Sequence, residues 1–160
     1  MKYIAILSVL VLIVALVGVG YLYMTASIVV DAVSVIATDA PSQEALFNEL
    51  KTQIRLGAVI GTPYIGATEL SGAEDYQFYT YTVRLKNNST VPADMVELQI
   101  TPMAGDILQI GSSADVKLPA GQSVDATATI LTTKNMHPIR EVVITYYIWG
   151  APFSMKTTIQ

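Results

Sequence analysis

A chain of 160 residues with thirteen acidic side chains, nine basic ones and no cysteine excludes disulfide scaffolds, thiolate metal centres, thiol catalysis and acylation of a lipobox cysteine. Beyond Lys2 the balance is eight basic to thirteen acidic, which makes nucleic acid and anionic lipid poor partners for the surface. A membrane segment of two dozen residues leaves roughly 130 for one ordinary domain, and its wealth of Val, Ile, Thr and Tyr leans toward β structure.

Ile4 to Met24 reads IAILSVLVLIVALVGVGYLYM, uncharged and with only Ser8 as a polar interruption. A hydrocarbon core about 30 Å thick takes about 20 apolar residues in a helix, so the run is long enough to span. A cleaved signal would have a shorter apolar core and small residues at its cleavage site. Here Ala26 has Met24 two residues before it, and the Ala32 to Ser34 alternative lies far from the core. Retention is the expectation. Tyr3, Tyr21 and Tyr23 suit headgroup depth, and Lys2, the only nearby basic residue, predicts a cytoplasmic N-terminus and an extracytoplasmic C-terminal part. No small residues recur four apart, so the helix carries no dimerisation signal, which leaves a homo-oligomer open. The basic leader and early glutamate of type IV pilins are absent. Leu118-Pro119-Ala120-Gly121-Gln122 lacks the threonine of a sortase motif and reads as a turn.

Ser27 to Thr38 is dense in β-branched residues and predicts a strand starting close to the membrane. After the Asp39 to Ser42 break, SQEALFNELKTQIRLG predicts the one amphipathic soluble helix, near 42–55. Asp39 or Ser42 would cap it, Leu46, Phe47, Leu50 and Ile54 would share a face, and Gly57 would end it. Because its polar face carries acids as well as bases, docking on the domain is expected rather than membrane binding. Ala58 to Tyr64 reads as a weak strand and Gly66 to Glu74 as a loop. Tyr76 to Lys86 is the clearest strand, with Tyr79, Tyr81, Val83 and Leu85 on one face and Tyr76, Phe78, Thr80, Thr82 and Arg84 on the other. Val96 to Ile100, Ile107 to Ile110, Val116 to Leu118, Val124 to Ile130, Ile139 to Trp149 and Phe153 to Ile159 follow, separated by turn signals. Seven or eight short strands at this spacing predict an antiparallel β-sandwich, with a closed barrel as the alternative.

The run VRLKNNSTVPADMVELQI, followed by a Leu-Pro-Ala-Gly-Gln turn and a Thr-rich strand, resembles the immunoglobulin-like sandwiches of membrane-anchored bacterial and archaeal proteins. The resemblance covers most of Tyr76 to Gln160 and concerns architecture only. It lacks the Cys and Trp pattern of antibody domains and the Phe-x-Leu-Tyr-Asp motif of one bacterial subgroup. It implies a mainly β chain in which 1–25 is an uncleaved anchor and 26–160 an extracytoplasmic immunoglobulin-like sandwich.

Chemistry-bearing constellations are sparse. His137 is the only histidine and reads as a solvent-facing loop residue, since zinc and triad chemistry require partners absent from the sequence pattern. Glu74, Asp75, Asp106, Asp115 and Asp125 are scattered, without calcium-loop spacing. No phosphate loop, HExxH or GxSxG occurs, and neither a catalytic residue, a metal nor a cofactor is expected. Asn87 and Asn88 match glycosylation acceptors within what reads as an Asn-rich turn. Tyr76, Phe78, Tyr146, Tyr147 and Trp149 form an aromatic strip. It could be a platform for a glycan or peptide, but it is expected instead to divide between the core and a face covered by the helix. The expectation is a non-enzymatic single-pass envelope protein, tethered through 4–24, whose sandwich binds another protein as an accessory subunit of a membrane complex. The competing readings are an adhesion module using the aromatic strip and a filament subunit packed through its N-terminal helix.

Overall fold

The computed structural model describes residues 2–25, 27–66, 69–112 and 116–160; the side chains of Lys2, Tyr23, Thr25 and Ser112 lie outside that description, as do Ala26 and Asp115. α1 (Lys2–Thr25) is one continuous helix. Its window Tyr3–Leu22 has a mean hydropathy of 2.8 and is unburied throughout, so by length and composition it can cross a membrane. A membrane anchor and a signal sequence share these properties.

Nine strands follow among the described residues: β1 (Ile28–Asp39), β2 (Thr62–Pro63), β3 (Tyr76–Asn87), β4 (Ala93–Ile100), β5 (Asp106–Ser112), β6 (Val116–Leu118), β7 (Ser123–Thr133), β8 (Arg140–Ile148) and β9 (Ala151–Ile159). The excess over the expected seven or eight comes from very short edges, above all the two-residue β2. Gly61 before it and Pro63 within it limit the Ala58 to Tyr64 run to a single pair of rungs against β5. All pairings are antiparallel, in one sheet of order β1-β3-β7-β5-β2 and a second of order β6-β4-β8-β9. The architecture is a mainly β sandwich.

Alternation builds the main core. On β3, Tyr79, Tyr81, Val83 and Leu85 face inward with Ala126, Ala128 and Ile130 of β7, and meet Val96, Leu98, Ile100, Val142, Ile144 and Ile148 from the second sheet. Each is at least nine-tenths buried, and burying a Val, Leu or Ile side chain stabilises by about 1.5–3 kcal/mol. A smaller core lies on the outer face of the first sheet. There α2 (Glu44–Leu56) lays Phe47, Leu50 and Ile54 over Phe78, Leu108 and Leu131. α2 begins two residues later than the helix expected from the sequence because a 3₁₀ turn, Ala40–Gln43, precedes it with Pro41 in its first turn. The expected side-chain cap is not made at Asp39, nor at Gln43, which occupies the N-cap of α2. Gly57 does end the helix at φ 65°; its N–H donates to Ile54 O and that of Ala58 to Gln53 O, both at 3.0 Å.

Candidate functional site

The aromatic strip does not form a surface. Tyr76 and Phe78 sit on the outer face of β3, but α2 covers that end of the sheet. Phe78 is 1% exposed, and the Tyr76 ring lies 5.4 Å from that of Phe47. Tyr146 points between the sheets, with its ring stacked on Phe153 at 5.6 Å. Tyr147 has the opposite parity and is half-buried on the outer face of the second sheet. Only Trp149 is well exposed, at 53%, in the turn between β8 and β9. The strip fails because successive residues on a strand point to opposite faces and both faces of β3 are covered. Of the membrane-interface set, Tyr3 and Tyr21 are exposed on α1, and the Lys2 and Tyr23 side chains fall outside the described residues.

Exposed polar pairs join Arg84 to Asp125 and Lys156 to Glu141, but the buried polar groups converge inside the fold. Arg140 and Asp106 are 1% and 0% exposed and pair bidentately, Nε to Oδ2 at 2.9 Å and Nη2 to Oδ1 at 2.8 Å. Arg140 Nη1 also donates to the carbonyls of His137 and Ile139. The carboxylate beside it raises the arginine's pKa despite the opposing effect of burial. Tyr79 and Tyr81 donate to the carbonyls of Met136 and Pro138 at 2.5 and 2.7 Å, so the loop from β7 to β8 is fastened by three side chains. Sequence reading missed this arginine, although a signal existed: Arg140 shares the parity of Val142, Ile144, Tyr146 and Ile148, so alternation alone points it inward.

A second bracket joins the sheets. Gln109 of β5 donates to Leu98 O at 2.7 Å, and its Oε1 accepts from Ile100 N–H at 2.9 Å and from the Tyr64 hydroxyl at 2.8 Å. Burial pushes the phenols of Tyr64 and Tyr81 well above their usual range. Asn87 is fully buried; its amide donates to Val91 O and Leu118 O at 2.8 and 3.2 Å and accepts from the Ser89 N–H and hydroxyl. The turn reading of this stretch therefore holds for Asn87, while Asn88 is exposed.

His137 is exposed, with its Nδ1 accepting the Ile139 N–H at 3.2 Å. No group of three or more His, Asp or Glu side chains that could hold a metal occurs among the described residues. A shallow cleft of about 410 Å³ beside α2 is lined by Ile54, Val59, Tyr64 and Ile65, and among the described residues no titratable groups converge in it apart from the hydrogen-bonded phenol of Tyr64.

β1 is the longest of the four edge strands among the described residues. Its described ladder partner is β3 alone, along twelve residues with one irregularity at Asp31. Val29, Val33 and Ile36 are 38%, 40% and 62% exposed along it. β9, the edge of the other sheet, approaches from the same side but carries Pro152 and Lys156, residues that blunt an edge.

No protein-family model matches the chain, and no curated protein matches it. Among solved structures it is similar to the yeast GGA1 GAE domain, at 13% identity with a TM-score of 0.38, over 56% of this chain and 94% of that one. It is also similar to a FixG-related protein from Vibrio parahaemolyticus, at 10% identity with a TM-score of 0.34, over 80% of this chain and 93% of that one. At likenesses this low, what the chain binds has to be argued from its own surface.

Proposed function

We propose that the chain is a non-enzymatic, single-pass protein of the cell envelope, held by α1 with its N-terminus cytoplasmic, whose extracytoplasmic sandwich binds a partner protein as an accessory subunit of a membrane complex. The observation that carries the reading is the open edge of β1, which begins three residues after an apolar helix and offers twelve residues of backbone on its unpaired side. An unpaired strand edge is a template for an added strand: main-chain hydrogen bonds supply affinity, and alternate side chains supply specificity. Val29 and Ile36, opposite Lys86 and Thr80 on the outer face, and Val33, opposite Val83 on the inner face, would be those side chains. The partner segment is then extended, apolar on both faces, and part of a protein that itself lies close to the bilayer.

Placing a photoreactive residue at Ser34 or Ile36 in intact cells should trap one discrete protein adduct, and the same residue at Thr158 on β9 should trap little. Ile36→Lys adds an edge charge at an exposed site, so it should remove the adduct while leaving the melting temperature nearly unchanged. Recovery of monomer alone from both β1 positions would refute the reading, and an adduct of two copies of this chain would replace the foreign partner with self-association.

A further inference from the structure

We infer that the end of the sandwich nearest α1 is itself a membrane-contact surface, with the indole of Trp149 entering the headgroup layer of the bilayer that α1 spans. The inference rests on α1 being a retained anchor. Reach is the first argument. From Leu22 the helix continues to Thr25 and the strand starts at Ile28. Three helical and three extended steps cover about 15 Å at most, and the headgroup layer is itself about 5–7 Å deep on each side. The first rungs of β1 therefore cannot stand far from lipid.

The register then gathers three loops at that end. Ile28 lies across from Asn87, Asn88 N–H donates to Ser27 O at 2.8 Å, and Asn87 N–H donates to Gln122 O at 2.9 Å. Leu118 lies across from Ala93, Asp94 from Tyr147, and Tyr147 from Pro152, which brings the Trp149-Gly150 turn to the same end. The three connections, 87–93, 118–124 and 148–153, contain no ionisable residue. The opposite end exposes Asp39, Glu44, Glu74, Asp75 and Lys134. Exposed Lys86, Asp94 and Lys117 lie on the strands just behind these connections, so only the loop tips are uncharged. Neutral tips facing the anchor and a charged end facing away form the polarity that a bilayer surface would select, since charge is costly to bring into the interface while neutral polar and aromatic groups are accepted there.

The backbone adds an independent observation. Trp149 has φ 50° and Gly150 φ 78°, the left-handed pair of a tight hairpin turn, where Asn or Gly would fit with less strain. Met95 has φ 52° near the start of β4 at the same end, and it too is exposed, at 55%. Two large apolar side chains thus occupy conformations that disfavour them, both at the neutral end. Tryptophan, with an apolar body and one N–H donor, is suited to headgroup depth. Because the loops are uncharged, this contact needs no anionic lipid.

Trp149 is the single tryptophan in the chain, so its emission reports on this turn alone. The full chain is reconstituted into phosphatidylcholine vesicles, with and without phosphatidylcholine brominated high on its acyl chains, and flotation after an alkaline wash is scored separately. Loss of most Trp149 emission to the bromolipid is expected, with weak quenching by acrylamide and no dependence on added phosphatidylglycerol. Gln122→Cys, unique in a cysteine-free chain, should report the same apolar shift from an environment-sensitive label on a second loop. Protein that floats while Trp149 stays open to acrylamide and untouched by bromolipid would overturn the inference and leave the anchor standing. Protein that fails to float would overturn the anchor reading, and this inference with it.

Discussion

Arg140→Met offers a quantitative test of the polar lock at the charged end. The side chain is replaced by one of similar length that keeps the packing, while Asp106 is left fully buried with its partner gone. The Met103 N–H, which donates to Asp106 Oδ2 at 2.8 Å, persists but cannot compensate a whole charge, and the carbonyls of His137 and Ile139 lose their donor. Removing one partner of a buried pair costs about 3–5 kcal/mol. In a domain of this size the melting temperature should fall by roughly 10–20 °C. The readout is thermal or urea unfolding of the full chain in mild detergent, followed by Trp149 emission, because α1 stays helical in micelles and Trp149 lies at the other end from the substitution. Arg140→Met combined with Asp106→Leu should recover most of the loss, since an apolar pair of similar volume often equals or exceeds a buried ion pair. A single variant within about 1 kcal/mol of the parent, or a double variant as unstable as the single, would refute the reasoning.

Other perturbations separate the remaining supports. In Gly61→Ala the new Cβ would overlap Gln109 O at φ 145°, so β2 should detach and amide exchange at Tyr64 and Ile65 should speed up. Asn87→Ala removes the amide donor to Leu118 O and the acceptor of the buried Ser89 N–H, while Val91 O keeps the Ser89 hydroxyl, and should cost about 2–3 kcal/mol, whereas exposed Asn88→Ala should stay within about 0.5 kcal/mol. Phe47→Ala empties the smaller core and should cost about 3–5 kcal/mol in urea unfolding. The phenols of Tyr64 and Tyr81 hold their protons more tightly folded than unfolded. Their contribution is complete below the unfolded value and is lost as pH climbs above about 10, so the melting temperature should drop on that limb, and less steeply in Tyr81→Phe.

Where one face of an element meets one environment, the sequence predicted it. The β3 alternation, the amphipathic stripe of α2 and its glycine stop all appear in the structure at or near their expected residues. The aromatic strip divides for Tyr76, Phe78 and Tyr146 as expected, between the core and the face under α2, although alternation by itself gives parity without saying which face is covered. Whether Phe78 lies open or buried depends on α2, which is far away along the chain and docks on that face. Arg140, Gln109 and Asn87 were hidden for a related reason. A buried polar residue is recognisable only with its partners, and those are Asp106, Leu98 and Leu118, brought close by strand pairing and sheet packing rather than by spacing.

The two proposals constrain one another through β1 and β9. Both strands start at the neutral end, run toward the charged end and lie along the same side of the sandwich, so the β1 edge and the Trp149 turn share a flank. A domain with α1 as its only membrane contact could present β1 in any direction. A second lipid contact at Trp149 would remove that freedom and aim the open edge along the bilayer. An added strand must then approach from the side at a set height above the headgroups, which only a segment tethered to the same membrane meets without a large loss of orientational freedom. Trp149→Ser should therefore weaken β1 crosslinking to the partner while leaving flotation intact. Undiminished crosslinking in that variant would separate the two surfaces and leave β1 to act without the lipid contact.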